Sequence, residues 1–374
     1  MSFELLPLAS NTPGQYSNIA VHRFGPTAGQ KVYIQAGLHA DEHPGLLVAQ
    51  HLIERLIELE QANQLTAQFV VIPFANPIGL KQRLFGHVNG RCDLTTGQNF
   101  NRGMSIAPNQ INDALMGQFT DDKENNDRIF RTWLLDQIEQ RDAQFEITAL
   151  HKTLLTHSID AHYVLDLHCD DVALPHVFYG AHQHDDGQLL SQCMSAAVAL
   201  EEDVTGTVAF DGSHTQPWVL AQKQSVEPLF TQPCFAATIE LRGLADVNPT
   251  LAEQDVDGIL NFFAHKGLIL NVDPSSNHSL PLKTIGVEQV KLVNAPKPGI
   301  VTYHCELGDK VSKGDLIAQI VLLDQAEPTR VDLTAPCDGL VFSQTQHFYV
   351  NPGQTIIMLA TDEQQQAAGT QLAF

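Results

Sequence analysis

From residue 31 to about residue 270, short apolar runs alternate with longer segments in which apolar residues recur at helical spacing. The apolar runs predict buried strands at residues 32–36, 67–74, 163–168 and 235–241. The helical spacing predicts helices at residues 46–59 and 251–265, and the charged segment 124–155 is also compatible with helix. Because strands and helices alternate, the pattern predicts an α/β fold in which helices cover a sheet.

The pattern changes after residues 273–279, a polar segment typical of a linker. Beyond it, short β runs are separated by glycine and proline turns, and residues 335–341 repeat the pattern of residues 295–301. Two similar β units predict a small sandwich or barrel. We therefore expect two domains, residues 1–275 and 276–374, as the length of 374 residues also suggests.

The formal net charge of −22 makes binding to nucleic acid or to anionic membranes unexpected. No apolar run is long enough to span a membrane, and the N-terminus lacks the pattern of a secretory signal. The six cysteines are scattered without a Cys-x-x-Cys pair, which favours reduced thiols and a cytoplasmic location. In so acidic a protein, an anionic substrate would need arginines near its binding site.

Two candidate metal ligands, His39 and Glu42, lie between the strand 32–36 and the helix that follows. Their spacing lets both side chains point to one position. Two histidines and one glutamate form a known zinc set that leaves a coordination position for water. His51 and Glu54 have the same spacing, but they lie within a helix, where an exposed helix face is the simpler interpretation. Open α/β sheets bind ligands at the carboxyl ends of strands, which favours the first pair.

Later strands carry two further candidates. His168 ends an apolar strand and is a third possible ligand, and Asp166 on the same strand face could orient a ligand. Glu240 interrupts another apolar strand, where a carboxylate is costly without a partner or a role. Next to an activated water it could serve as general base. An ion pair with a neighbouring arginine such as Arg242 is the alternative.

A third group could bind substrate. The guanidinium of Arg102 could hold a carboxylate through two parallel hydrogen bonds, with the amide of Asn101 beside it. Upstream, Arg91 or Arg83 could polarise a substrate carbonyl. Each arginine taken alone is more simply a surface charge, so this interpretation depends on the other motifs.

Taken together, the motifs resemble the zinc carboxypeptidase superfamily, and most closely its succinylglutamate desuccinylase/aspartoacylase branch. The resemblance covers about residues 30–270. It implies a mixed sheet flanked by helices and one zinc ion per chain, bound by His39, Glu42 and His168. It also implies that Glu240 is the catalytic base.

The same resemblance bears on the substrate. The family's Asp-x-Asn-Arg motif corresponds to residues 99–102, in which Asn99 replaces the aspartate while Asn101 and Arg102 match. The arginine that polarises the carbonyl corresponds to Arg91, with Arg83 as the alternative. The implied partner is a small acylated substrate that bears a carboxylate.

The C-terminal repeat resembles a biotinyl or lipoyl carrier barrel. Such carriers need a lysine on an exposed hairpin, but residues 324–330 contain none, and Lys313 is the last lysine of the chain. We therefore expect a barrel-like domain without a prosthetic group, which could instead cap the catalytic cleft.

The sequence thus predicts a zinc-dependent amidohydrolase that removes the acyl group from an N-acyl amino acid. A zinc carboxypeptidase acting on peptides is one alternative, and a non-catalytic binding module is another. Glu240 argues against the binding module, because such a module needs no general base. The sequence leaves open the identity of the acyl group and whether the protein forms an oligomer.

Overall fold

A large mixed sheet organises the first three quarters of the chain. The computed structural model describes residues 1–206, 209–272, 283–367 and 372. The strands up to residue 286 are β1 (Ser2–Leu8), β2 (Ser17–Phe24), β3 (Lys31–Ala36), β4 (Gln68–Ile72), β5 (Arg83–Leu84), β6 (His87–Val88), β7 (Tyr163–Asp170), β8 (Val172–Ala173), β9 (His176–Gly180), β10 (Val198–Glu202), β11 (Phe235–Gly243) and β12 (Lys283–Gly286).

Nine of these strands pair in the order β1-β2-β4-β3-β7-β11-β9-β10-β12. The central strands β4, β3, β7 and β11 are mutually parallel, whereas β9 pairs antiparallel with β11. The parallel strands β3, β7 and β11 therefore all end at one edge of the sheet. The predicted mixed sheet flanked by helices is confirmed.

Helices cover both faces of this sheet. They are α1 (His43–Gln61), α2 (Pro77–Lys81), α3 (Asp113–Met116), α4 (Lys123–Glu139), α5 (Glu146–Ser158), α6 (His184–Cys193), α7 (Phe210–Gln222) and α8 (Pro249–His265), with short 3-10 turns at Pro108–Gln110, Ala181–Gln183 and Val287–Gln289. Apolar residues of α1, α6 and α8 share one buried core with the sheet. Those of α4, α5 and α7 share a second core on the opposite face. None of the helices in the described residues is both long and apolar enough to cross a membrane.

The segment predicted as helix-compatible, 124–155, forms the two helices α4 and α5. The ammonium of Lys152 donates to the carbonyl oxygens of Glu139 (2.6 Å) and Arg141 (3.0 Å). Lys152 thereby satisfies carbonyls that the end of α4 leaves without an intrahelical partner. The break between the helices is a folded turn with its own hydrogen bonds.

The C-terminal region forms two antiparallel sheets. Their strands are β13 (Val290–Asn294), β14 (Gly299–Tyr303), β15 (Lys310–Val311), β16 (Leu316–Leu322), β17 (Thr329–Thr334), β18 (Gly339–Gln344), β19 (Tyr349–Val350) and β20 (Thr355–Ala360). One sheet has the order β13-β20-β18-β15 and the other β17-β16-β14-β19, and apolar residues of both sheets share one core. The sequence repeat places β14 and β18 in equivalent positions, each beginning at a glycine. Closure into a barrel remains a prediction.

The two regions contact each other closely. The short strand β8 pairs with β18, and a shared apolar core joins β10 and β12 to β13, β18 and β20. Hydroxyls of Ser343 and Thr345 donate to the carboxylates of Asp170 (2.8 Å) and Asp171 (2.9 Å). The end of β7 is therefore attached to the C-terminal sheets. The predicted linker and domain boundary lie within residues 273–282, outside the described residues.

Buried neutral histidines predict acid sensitivity. His214 is fully buried between the Phe210 carbonyl and the Ser158 hydroxyl, both at 2.7 Å, and burial lowers its pKa from 6.5 to about 4. Protonation therefore favours the unfolded chain. Keeping His214 neutral costs no stability above pH 6.5, where the unfolded chain is also neutral at this residue. As the pH falls from 6.5 towards 4, the unfolded chain takes up the proton first, and the free energy of unfolding falls by roughly 3 kcal/mol. In urea unfolding, His214→Gln should show a shallower loss of stability over this range than the wild-type protein. Equal pH slopes would contradict the assignment.

Candidate functional site

Three buried side chains meet at the carboxyl end of the central strands. His39 follows β3, Glu42 immediately precedes α1, and His168 lies on β7. They are only 4%, 5% and 2% exposed. One potential ligand atom from each lies within 4.8 Å of the others, and this is the candidate metal group found in the described residues. The structure thus brings together the three ligands predicted from the sequence.

The carboxylate of Glu42 bridges the two imidazoles. Its Oε1 lies 2.9 Å from Nδ1 of His39, and its Oε2 lies 2.8 Å from Nδ1 of His168. The backbone N–H of Cys169 also donates to Oε2 at 3.1 Å. Both Nδ1 atoms therefore face the same small space beside one carboxylate.

The other nitrogen of each imidazole has its own acceptor. Nε2 of His39 lies 2.9 Å from Oδ1 of Asn99, and Nε2 of His168 lies 2.9 Å from Oδ2 of Asp166. Asp166 in turn accepts a hydrogen bond from Nε2 of Gln35 at 3.0 Å. These contacts fix the ring orientations and leave both Nδ1 atoms to bind a cation, as metal-binding histidines require.

Asn99 is the position at which the sequence departs from the Asp-x-Asn-Arg motif. Its amide oxygen contacts His39 and also accepts a hydrogen bond from the backbone N–H of Asn101 at 2.8 Å. An amide oxygen can accept from an imidazole N–H as a carboxylate does, although without the negative charge. The departure therefore preserves the geometry around His39.

The electrostatics of the group are those of a cation site. Burial alone would raise the pKa of the Glu42 carboxyl, but the charges and hydrogen bonds of His168 and His39 outweigh burial and hold this pKa below its usual range. Burial lowers the pKa of His168, yet Asp166 and Glu42 together raise it well above its usual value. Because His168 and Glu42 would bind a metal through the atoms that face each other here, metal binding would release any proton held between them.

These residues fit a zinc ion. Two neutral imidazoles and one carboxylate match a catalytic zinc set that leaves a position open for water. The alternative pair does not form such a group: on α1, His51 is half-buried and Glu54 is exposed, and neither joins the metal group found in the described residues.

Glu240 lies next to this group. In the sheet register it pairs with His168 on β7 and with His176 on β9, so the three residues form a row across neighbouring strands. Its Oε2 is buried without a hydrogen-bond partner. Burial, followed by the negative charge of Glu42, raises the pKa of Glu240 well above its usual value. A bound cation would oppose this shift.

The ion pair between Glu240 and Arg242, which was the alternative prediction, is not formed in the structure. Arg242 instead pairs with Asp255 on α8 through both guanidinium nitrogens, one of them at 3.0 Å. Arg242 also adopts a positive φ of 66°, just where the register between β11 and β7 shifts. The turn of the backbone directs Arg242 away from the site and leaves Glu240 unpaired.

Arg91 and Arg83 lie in different places. Arg91 lines the pocket with the metal group, and its Nη1 lies 3.4 Å from Oε1 of Glu42. The absence of a side chain at Gly90 lets the chain before Arg91 pass close to the backbone of Asp41. A Cβ at Gly90 would lie only 2.3 Å from the backbone nitrogen of Asp41. Arg83 is exposed on the β5–β6 hairpin and contacts the Gly86 carbonyl. Of the two arginines predicted as alternatives, Arg91 lies at the candidate site and Arg83 lies away from it.

Asn101 and Arg102 line the same pocket. Oδ1 of Asn101 accepts from the backbone N–H of Phe210 at 2.7 Å, which leaves the amide nitrogen of Asn101 available to donate. Nη1 of Arg102 donates to the Asn101 carbonyl at 2.7 Å, so the guanidinium is held in place. Burial lowers the pKa of Arg102. Such a partly desolvated guanidinium is suited to binding a carboxylate.

The pocket adjoins a second cavity between the sheet and the C-terminal region. Glu42, Arg91, Cys169 and Asp170 line both cavities. Residues 345–347 and 353–355 of the C-terminal region line the second one. The two cavities therefore meet at the metal group, and residues of the C-terminal region line both of them.

Comparison with known proteins bears on this arrangement. Residues 28–266 match the family model described as the succinylglutamate desuccinylase/aspartoacylase catalytic domain. The chain belongs to this family. No curated protein matches the chain.

Solved structures share the fold of this family member over nearly its whole length. A protein from Shewanella frigidimarina NCIMB 400, provisionally named succinylglutamate desuccinylase/aspartoacylase, has a TM-score of 0.86 at 21% identity, covering 96% of this chain and 97% of that one. A provisionally assigned family protein from Shewanella amazonensis SB2B has a TM-score of 0.82 at 24% identity, covering 97% and 99%. The succinylglutamate desuccinylase/aspartoacylase from Rhodobacter sphaeroides has a TM-score of 0.66 at 15% identity, covering 96% and 94%.

The sequence did not indicate several residues of the pocket. Glu202 ends β10, Asp211 lies in the first turn of α7, and Met358 lies on β20, yet all three line the pocket with the metal group. Polar residues at a strand end or a helix start were a usable signal for Glu202 and Asp211. Nothing local marked Met358, because its place depends on how the C-terminal sheet packs.

The predicted metal ligands can be tested against His51 and Glu54, the pair with the same spacing. Purified protein should contain about one zinc ion per chain, and His39→Ala should lose most of it because one of three protein ligands is gone. His51→Ala is the matched control and should retain the metal. Metal analysis by inductively coupled plasma mass spectrometry measures both. Loss of zinc in His51→Ala with retention in His39→Ala would show that the wrong pair was chosen.

Proposed function

We propose that this family member is a zinc-dependent hydrolase that removes the acyl group from an N-acyl amino acid. One observation carries the proposal: the buried group of His39, Glu42 and His168 lies beside Glu240, a half-buried residue whose Oε2 atom is buried without a hydrogen-bond partner. A metal site alone could serve binding or stability. An unpaired carboxylate next to it is costly, and general-base catalysis accounts for that cost.

His39, Glu42 and His168 would hold one zinc ion per chain. Zinc in such a site supplies Lewis acidity, which acidifies water and polarises a carbonyl. Asn99 and Asp166 hold the imidazole Nε2 atoms, so both rings keep Nδ1 directed at the cation. The charge on Asp166 also makes His168 a more basic ligand.

Glu240 has the chemistry of a proton carrier in this setting. As a carboxylate it accepts a proton from the attacking water, and as a carboxylic acid it donates that proton to the nitrogen of the departing amine. The C–N bond of the amide then breaks, and the acyl group leaves as a carboxylic acid.

The arginines divide the remaining tasks. Arg91, beside Glu42, is placed to stabilise negative charge that develops on the carbonyl oxygen. Arg102 and the amide nitrogen of Asn101 would bind the carboxylate of the amino acid and thereby fix the amide bond next to Glu240. This assigns the partner as a small acylated substrate with a free carboxylate.

A general-base role makes a sharp prediction for Glu240. Glu240→Gln should keep the zinc and the fold but lower kcat by about 100-fold or more, because the amide cannot accept the proton. Glu54→Gln, an exposed change on α1, is the control and should keep the normal rate. Steady-state assays with zinc-loaded protein measure the effect. A near-normal rate in zinc-loaded Glu240→Gln would favour a non-catalytic role for the group.

A substrate panel tests the reaction itself. N-acetyl and N-succinyl amino acids should be hydrolysed faster than unblocked peptides. Faster hydrolysis of the peptides would instead favour the carboxypeptidase alternative. Amidation of the substrate carboxylate and Arg102→Lys should each lower kcat/KM by about 10-fold or more, since both remove the paired hydrogen bonds. Equal rates with and without the free carboxylate would contradict the role of Arg102.

A further inference from the structure

Besides Asp170, which accepts a hydrogen bond from Ser343, the pocket contains two carboxylates that the proposed reaction does not use. Glu202 ends β10 and Asp211 lies in the first turn of α7, and both line the pocket together with Arg102 and the metal group. The pocket is defined by the metal group and Glu240, independently of these two residues. Glu202 and Asp211 therefore add acidic groups to a cavity whose place is already set by the metal group and Glu240.

Within the described residues, these carboxylates do not act as ion-pair partners. No salt bridge within 4.0 Å joins either of them to a described basic side chain, and the guanidinium of Arg102 donates to the Asn101 carbonyl. Asp211 is 5% exposed and is held by the Thr238 side chain and the Gly212 backbone. Structural stability alone does not account for two such groups facing the pocket.

The neighbouring residue Glu201 shows the contrast. Its Oε1 lies 2.5 Å from Nδ1 of His184 and accepts a 3.4 Å hydrogen bond from the Tyr179 hydroxyl, outside the pocket. Glu201 and Glu202 are neighbours in the chain. Because successive strand residues point to opposite faces of the sheet, their side chains have different surroundings. Glu202 faces the pocket and forms no ion pair within 4.0 Å there with a described basic side chain, although the charge of Arg102 reaches it.

Arg102 and the two carboxylates influence one another's charge. Burial and then the charge of Asp211 raise the pKa of Glu202 to about 8, with Arg102 opposing, and burial raises the pKa of Asp211 to about 6. Arg91, the other arginine of the pocket, instead contacts Glu42 of the metal group. An ammonium group beside Glu202 would favour its charged form, whereas a substrate carboxylate at Arg102 would compete with Glu202 for that guanidinium.

We infer that Glu202, assisted by Asp211, is a specificity-determining residue that selects N-acyl amino acids whose side chain ends in an ammonium group. This inference rests on the proposed deacylase function and names its substrate class. The substrate carboxylate contacts Arg102, and its side-chain ammonium lies against Glu202. Phe178 and Met358 in the pocket wall contact the methylene groups between the two charges.

The alternative is that the two carboxylates only balance the charge of Arg102. In that case a neutral side chain of the same length would bind as well as a cationic one. Three matched pairs of amino acids separate the two explanations, because each pair differs only by the terminal amino group: 2,4-diaminobutyrate and 2-aminobutyrate, ornithine and norvaline, lysine and norleucine.

The experiment uses zinc-loaded, full-length protein and the α-N-acetyl and α-N-succinyl forms of all six amino acids. The best cationic substrate should exceed its neutral partner in kcat/KM by about 10-fold or more, the effect of one charge-assisted contact. Glu202→Gln should remove most of this preference, measured as the ratio of the two kcat/KM values. Glu201→Gln, the matched control on the same strand, should keep the full preference.

Binding of the free amino acid products, measured by calorimetry, separates this inference from the deacylase proposal. If no acylated substrate is hydrolysed but the cationic products still bind more tightly through Glu202, the deacylase proposal fails and the pocket assignment stands. If hydrolysis occurs without a preference for the cationic partner, or if Glu202→Gln leaves that preference unchanged, the inference about Glu202 is wrong. Failure of all six products to bind would also overturn it.

Discussion

The carboxylate of Glu42 lies between two imidazoles at a depth where each of the three side chains is at most 5% exposed. A buried carboxylate is costly unless nearby charges and hydrogen bonds compensate for lost hydration. Here the compensation comes from His39, His168 and the Cys169 backbone. Because these partners come from a loop after β3 and from β7, the site exists only when the central strands are paired in register.

The register of the sheet also places Glu240, the proposed general base. His168 and Glu240 are direct neighbours on parallel strands, so their side chains emerge on the same face at the same height. The C-terminal sheets then attach to the end of β7 through Asp170 and Asp171 and provide one wall of the pocket through Met358. The second region thus contributes part of the pocket wall, whereas the metal group and Glu240 belong to the strand ends of the large sheet.

The sequence allowed the ligands to be predicted because strand-end polar residues are a local signal. His39, Glu42 and His168 each follow or end an apolar run, and open α/β sheets bind ligands at that edge. The partners of these residues could not be predicted in the same way. The contact of Asn99 with His39 and the pairing of Arg242 with Asp255 depend on the path of loops and on a register shift, which no local pattern encodes. The position of Met358 in the pocket could not be predicted either, because it depends on how the C-terminal sheets pack against the large sheet.

The central claim is that a zinc ion is held by two imidazole nitrogens and one carboxylate, with the thiol of Cys169 nearby but uninvolved. X-ray absorption at the zinc edge of the loaded protein tests this most directly. The account predicts nitrogen and oxygen neighbours at about 2.0–2.1 Å, with imidazole scattering from two rings and no sulfur. A sulfur neighbour at about 2.3 Å, or scattering from fewer than two imidazoles, would contradict it.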